Sequence, residues 1–151
     1  EAFLLASRGH AVTLIERSPV LATLLNDAMV RAKAHPPLKK ILSNMTLLNE
    51  DSLTYLKTIT PKPDIIYLDP MFPERKKSAL VKKDMQLLQR LLSHDDNANA
   101  LLTVALQNAT HRVVLKRPRH APIIQPPDLQ YLGKAHRFDV FFCHATRTKK
   151  P

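Results

Sequence analysis

The chain has 151 residues, 44% of them hydrophobic, which suits one compact domain with a proper core. Lysine and arginine number 23 against 13 aspartate and glutamate, a formal charge of +10, and such an excess favours a polyanionic partner, most simply a nucleic acid, over a basic but inert surface. No apolar run approaches the ~20 residues a membrane span requires, and no signal peptide is visible.

In chain order, the opening EAFLLASRGH lacks an initiator methionine and already reads as helix over residues 2–8, closed by Gly9 as a C-terminal cap. AVTLIE follows as a short strand rich in β-branched residues. Ser18-Pro19 is a helix start, a capping hydroxyl with proline in the first turn, and Leu21, Leu24, Leu25, Ala28 and Ala32 then recur at helical spacing. Pro36-Pro37 are expected to end that region. NMTLLNE reads as a second strand, SLTYLKTI as a short helix and DIIYLD as a third strand. Val81, Met85, Leu88 and Leu92 form a helical stripe, and HDDNANALLTVALQNA resembles a capped helix. HRVVLKR is a fourth strand, and LQYLGKA with RFDVFFC forms a candidate closing hairpin. This alternation predicts a mostly parallel sheet with helices on both faces and no linker dividing the chain.

In open α/β sheets ligands bind beyond the carboxyl ends of the strands. There the first strand delivers Glu16-Arg17, the second Glu50-Asp51-Ser52, the third Asp69 and the fourth Lys116-Arg117. Three consecutive strands thus finish in an acid. Glu16 is either a surface charge or the carboxylate that binds the paired hydroxyls of a nucleoside ribose. Asp51 or Ser52 either binds a ligand or caps the next helix, a contact worth about 1 kcal/mol.

Asp69 has the weakest mundane explanation, because Asp69-Pro70-Met71-Phe72-Pro73 is a costly way to build a plain turn. Each proline removes a backbone donor and restricts the residue before it. A stiff loop of this kind presents the Asp69 carboxylate and backbone carbonyls as acceptors for an exocyclic amine. Phe72 offers a flat face on which a base can stack, worth ~1–3 kcal/mol.

Together, YLDPMFPERKKSALVKKDMQ, VTLIERSP and RFDVFF resemble the small-subunit ribosomal RNA guanine-N2 methyltransferases of the J type, and LDPMFP is similar to the Asp/Asn-Pro-Pro-aromatic signature of amino-methylating enzymes. The resemblance runs over nearly the whole chain. It implies a Rossmann-like class I methyltransferase fold, α/β, with a mostly parallel sheet, one antiparallel strand near an edge and helices on both faces. It implies S-adenosylmethionine as methyl donor, ribosomal RNA or the small ribosomal subunit as partner, and a cytoplasmic location. Carried over by position, Glu1 matches the acid after the family's glycine-rich loop, Glu16 with Arg17 would hold the cofactor ribose, and Asp51 and Ser52 would face the adenine. Asp69 would line the junction of cofactor and target base, with Pro70 and Phe72 shaping the base pocket. The family's first strand and glycine-rich turn are missing, and Gly9 and Gly133 cannot replace them. The expectation is one catalytic domain over residues 1–151, N-terminally shortened and of weak or undetectable activity as it stands. The proline-rich link RHAPIIQPPD is also short for a helical crossover.

Arg75, Lys76, Lys77, Lys82 and Lys83 follow the proline turn, and Lys116, Arg117, Arg119 and His120 follow the fourth strand. Both groups are candidates for RNA phosphate contacts or for a solvated face. Arg147, Lys149 and Lys150 in the tail are assigned solubility or loose RNA contact. The seven histidines have no metal-ligand spacing with cysteine, His111, His136 and His144 being read as structural or surface groups, so no metal site is expected. The single cysteine, Cys143, rules out an internal disulfide, suits a reducing compartment and is expected to be buried. Three alternatives remain: another amino-methyltransferase acting on DNA adenine or a protein amide, a non-catalytic basic RNA-binding module, and a nicotinamide-dependent dehydrogenase. The last lacks a convincing Tyr-Lys or His pair.

Overall fold

A computed structural model describes residues 1–70 and 98–143. The expected helical stripe Val81–Leu92, the first part of the helix from His94 and the basic tail lie outside the described residues. The chain divides into two compact units, Glu1–Tyr55 and Leu56–Pro151.

In the first unit, α1 (Ala2–Ser7) ends at Gly9, whose φ of 91° is the left-handed conformation that glycine adopts without strain. Strand β1 (Val12–Ile15) pairs in parallel with β2 (Met45–Leu48), in a register that sets Val12 beside Met45 and Ile15 beside Leu48. Between them, α2 (Pro19–Lys33) starts as its sequence requires, with the Ser18 hydroxyl accepting from the Leu21 amide at 3.4 Å and Pro19 in the first turn. Pro36-Pro37 do end α2, but they also open α3 (Pro36–Leu42). The missing N–H groups cost nothing in a first turn, where they have no intrahelical acceptor. Leu42 of α3 is buried, and the Asn44 side chain donates to the Ala6 carbonyl at 3.2 Å, joining the start of β2 to α1.

Helix α4 (Ser52–Thr58) leads to the second unit and contributes Leu56 to its core. Here β3 (Ile65–Leu68), β4 (Arg112–Pro118), β5 (Leu129–Leu132) and β6 (His136–Phe142) form a sheet in the order β3-β4-β6-β5. β3 and β4 are parallel, whereas β6 is antiparallel to both β4 and β5. Three strands therefore run one way and β6 alone runs against them, one place in from the edge, as expected for the mostly parallel sheet with an antiparallel strand. One face packs under α5 (Ala98–Asn108), where Leu102, Ala105 and Ala109 meet Ile66, Leu68, Val113, Leu115, Phe141 and the buried Cys143. Each large side chain buried there contributes about 1.5–3 kcal/mol of transfer free energy. Burial also raises the Cys143 thiol above its ordinary pKa.

The closing hairpin forms as expected, with Leu132 paired to Arg137 and the Gly133 amide donating to the His136 carbonyl at 2.8 Å. A Cβ on Gly133 would stand 2.9 Å from that carbonyl oxygen, so only glycine fits the turn unshifted. The link from β4 to β5 carries no helix.

Candidate functional site

In the first unit two acids stand at the carboxyl ends of neighbouring parallel strands. Glu16 directly follows β1; its amide extends the ladder to the Leu48 carbonyl at 3.0 Å, and its own carbonyl accepts from the Asn49 side chain at 2.7 Å. These bonds fix the backbone at the turn into α2. The Ser18 amide then donates to Oε1 of Glu16 at 2.7 Å, which aims the half-buried carboxylate. Among the described residues, Oε2 carries no hydrogen bond. Arg17 beside it is exposed.

Asp51 does the capping work that was one of its two expected roles. Its Oδ1 accepts from the Thr54 amide at 2.9 Å and from the Thr54 hydroxyl at 3.1 Å, at the start of α4. The Thr54 amide is the main reason its carboxyl lies below the usual range; desolvation, the next largest effect, opposes it, and the Thr54 hydroxyl, the Leu53 amide and the charge of Arg17 add to the lowering. Ser52 is the half-buried first residue of α4. Glu1 precedes α1 and is exposed; its carbonyl accepts from the Leu5 amide at 3.0 Å.

In the second unit the parallel register of β3 and β4 sets Leu68 beside Leu115, so the next residues, Asp69 and Lys116, also meet. Lys116 Nζ lies 2.9 Å from Oδ2 of Asp69, with 18% of the lysine side chain and 44% of the aspartate exposed. Asp69 is thus held at the carboxyl edge of the sheet, facing outward beside a half-buried Pro70. Lys116 was expected at an RNA phosphate; its place is on the acid. The signal for this pairing was available, since both residues follow apolar runs that end in register, but it needs the strand alignment to be known.

Arg117 was also expected at a phosphate, and the structure buries it instead, at 8% exposure. Alternation along β4 turns it to the opposite face from Lys116, where its Nη2 donates to the Pro122 carbonyl at 3.3 Å. Desolvation pulls its guanidinium below the ordinary pKa; the neighbouring charge of Arg137 adds to this, and Asp139 opposes it. Arg137, missed in the sequence, is the centre of that region. Its Nε donates to both carboxylate oxygens of Asp139, at 3.0 and 3.1 Å, and its Nη1 to the carbonyls of Arg119 and Ala121. Gln130 completes the network on Asp139 at 2.7 Å. Arg119 is half-buried and its side chain reaches the Gly133 carbonyl. Phe72, Arg75, Lys76, Lys77, Lys82 and Lys83 lie outside the described residues.

Among the described residues no helix is long and apolar enough to cross a membrane, and no three His, Cys, Asp or Glu side chains group as metal ligands.

A family model for SAM-dependent methyltransferases matches residues 1–143. The chain belongs to that family. It is 49% identical over 143 residues to the ribosomal RNA small subunit methyltransferase J of Coxiella burnetii (strain RSA 331 / Henzerling II), covering 93% of this chain and 56% of that protein. The protein of the same name from Pseudomonas syringae pv. tomato is 45% identical over 152 residues, covering 99% of this chain and 56% of the relative. The chain thus spans a little over half the length of the curated relatives it matches. Among solved structures, the SAM-dependent methyltransferase of Neisseria gonorrhoeae superposes with a TM-score of 0.75 at 34% identity, over 95% of this chain and 57% of that one. The methyltransferase fold expected from the resemblance is therefore the observed one.

Proposed function

We propose that the protein carrying this chain transfers the methyl group of S-adenosylmethionine to the exocyclic N2 amine of a guanine in small-subunit ribosomal RNA, in the cytoplasm, and that residues 1–151 belong to a single catalytic domain. The observation that carries this reading is the Asp69 carboxylate, anchored by Lys116 at the carboxyl edge of β3, in a chain of the SAM-dependent methyltransferase family. The names of the relatives supply the RNA substrate class.

The residues present fit the cofactor. Glu16 suits a ribose, because one oxygen is fixed by the Ser18 amide and the other is left to accept the paired hydroxyls. Arg17 stands beside it, and Asp51, with Oδ1 occupied by the cap, would offer Oδ2 to the adenine edge next to Ser52. Glu1 belongs to the same set by its match to the acid after the family's glycine-rich turn. When bound, S-adenosylmethionine supplies a sulfonium methyl that an amine nitrogen can attack directly, so the protein's part is placement.

Asp69 performs that placement. Lys116 occupies its Oδ2, leaving Oδ1 to accept one N–H of the guanine amine and turn the nitrogen lone pair toward the methyl. The Asp69 carboxylate, or water beside it, would take the proton that the guanine amine loses on methylation. Pro70 limits the freedom of the chain at this point, and Phe72 supplies the stacking face for the base. Arg75, Lys76, Lys77 and Arg119 supply phosphate contacts.

Undermethylated small ribosomal subunits incubated with the protein and methyl-labelled S-adenosylmethionine test the reading. Label is expected on N2 of a guanine in the ribosomal RNA; label confined to DNA or to protein side chains would refute it.

A further inference from the structure

Two stretches separated in sequence come together at the carboxyl edge of the second unit's sheet. They are the end of β4 with the loop after it, residues 118–122, and the turn after β5 with the first residue of β6, residues 133–136. The Arg119 amide donates to the Ala135 carbonyl at 2.9 Å, and the Arg119 side chain reaches the Gly133 carbonyl. Beneath them Arg137 Nη1 donates to the carbonyls of Arg119 at 3.1 Å and Ala121 at 2.6 Å. The two segments therefore form one stiff platform. It carries Arg119, His120, Lys134 and His136, of which the last three are exposed, and neither segment contains an acid. The ladder fixes where it lies: Pro118 pairs with His136 and Lys116 with Phe138, two residues along from the Lys116–Asp69 pair.

We propose that this platform is a docking surface for the RNA sugar-phosphate backbone flanking the target base, with Lys134 at the hairpin tip and Arg119 as its principal cations. The inference deepens the function proposed above and rests on it for the identity of the polyanion. Cations at the same edge of the sheet as the acceptor acid set the strand's position, while the acid reads the base. A turn that only glycine fits, stitched to its neighbour by two hydrogen bonds, holds the backbone under those charges in place and so lowers the ordering cost at binding. Lys134 and His136 have no distinguishing signal in the sequence, because only the hairpin register brings them to Arg119.

The salt dependence of binding to a short fluorescent single-stranded RNA tests this without any methyl transfer. Each phosphate contact removed lowers the slope of log affinity against log salt by about 0.7 for a single strand. Lys134→Gln is expected to lower it by about that amount, and Arg119→Gln/Lys134→Gln by about twice as much. Lys134 is exposed at the tip of a turn, so its single variant keeps the test valid should the Arg119 change loosen the loop. The comparison is Lys39→Gln/Lys40→Gln, which removes two exposed charges from α3 and is expected to leave the slope unchanged. An unaltered slope in Lys134→Gln overturns the proposal, as does an equal loss in the α3 variant. If the RNA slope responds as expected but no guanine is methylated, the docking surface stands and the proposed reaction fails; the converse result separates them the other way.

Discussion

Asp69 and Lys116 face each other across the carboxyl ends of β3 and β4, with 2.9 Å between Oδ2 and Nζ. The lysine stem is mostly buried along the sheet while the acid stays open to solvent, so the pair holds the carboxylate outward and does not hide it. Lys116→Met is expected to lower the methyl-transfer rate about ten-fold, a modest figure because a half-exposed pair is screened. Cofactor affinity should stay constant, and Lys116→Arg should recover part of the rate. If the lysine acts through the acid, Lys116→Met adds little once Asp69→Asn is in place. Single-turnover kinetics on the four proteins of that cycle give the answer, and fully additive losses would count against the coupling.

Glu16 and Asp69 are assigned separable duties, one to the cofactor and one to the base. Glu16→Ala should weaken S-adenosylmethionine binding by about ten- to a hundred-fold, the loss of hydrogen bonds to a charged acceptor. Asp69→Ala should abolish methylation yet leave RNA affinity unchanged or slightly raised, since a negative charge is removed from a basic edge. Calorimetric titration with cofactor and RNA binding on each variant distinguish the two. Normal methyl transfer by Asp69→Ala would sink the assignment.

Asp51 predicts an acid-dependent stability. Its folded carboxyl lies below its ordinary value of 3.8, so its contribution is fully present above that value and is lost as pH falls through the folded pKa. Asp51→Ala should cost about 1 kcal/mol at neutral pH, whereas Asp51→Asn keeps most of the cap. Thermal melts should show the gap between wild type and Asp51→Ala closing below about pH 4. A gap that is constant down to acid pH would remove the carboxylate from the explanation.

The parts of the fold that local chemistry dictates were legible in the sequence. Ser18-Pro19 announced α2, Gly9 closed α1, and the β-branched runs marked β1, β3 and β4, because capping, backbone conformation and burial act within a few residues. The acids at the strand ends were visible for the same reason. Pro36-Pro37 were read as a stop alone because a proline pair ends one helix and begins another with equal ease, and only the packing of Leu42 decides. What stayed hidden depends on register. Lys116 and Arg117 look alike in a basic run, yet alternation sends one to Asp69 and the other into the interior. The Arg137–Asp139 pair was missed, because only the place of β6 between β4 and β5 buries it.

That buried pair makes the last prediction. Arg137 uses its Nε on Asp139 and its Nη1 and Nη2 on the carbonyls of Arg119, Ala121 and Pro122, so it ties the sheet to the loop beyond β4. Removing one partner leaves a charge without compensation in a site only a few per cent exposed. Asp139→Ala is therefore expected to cost about 3–5 kcal/mol in denaturant unfolding. Arg137→Met/Asp139→Leu should regain much of that, because no unpaired charge remains in the interior. The double variant still lacks the donors that close the loop, so the amides of Arg119 and Ala121, bonded to Ala135 and Pro118, should exchange faster with solvent even at recovered stability. Unchanged protection of those two amides would mean that the loop holds its shape without Arg137, and that the pair serves the sheet alone.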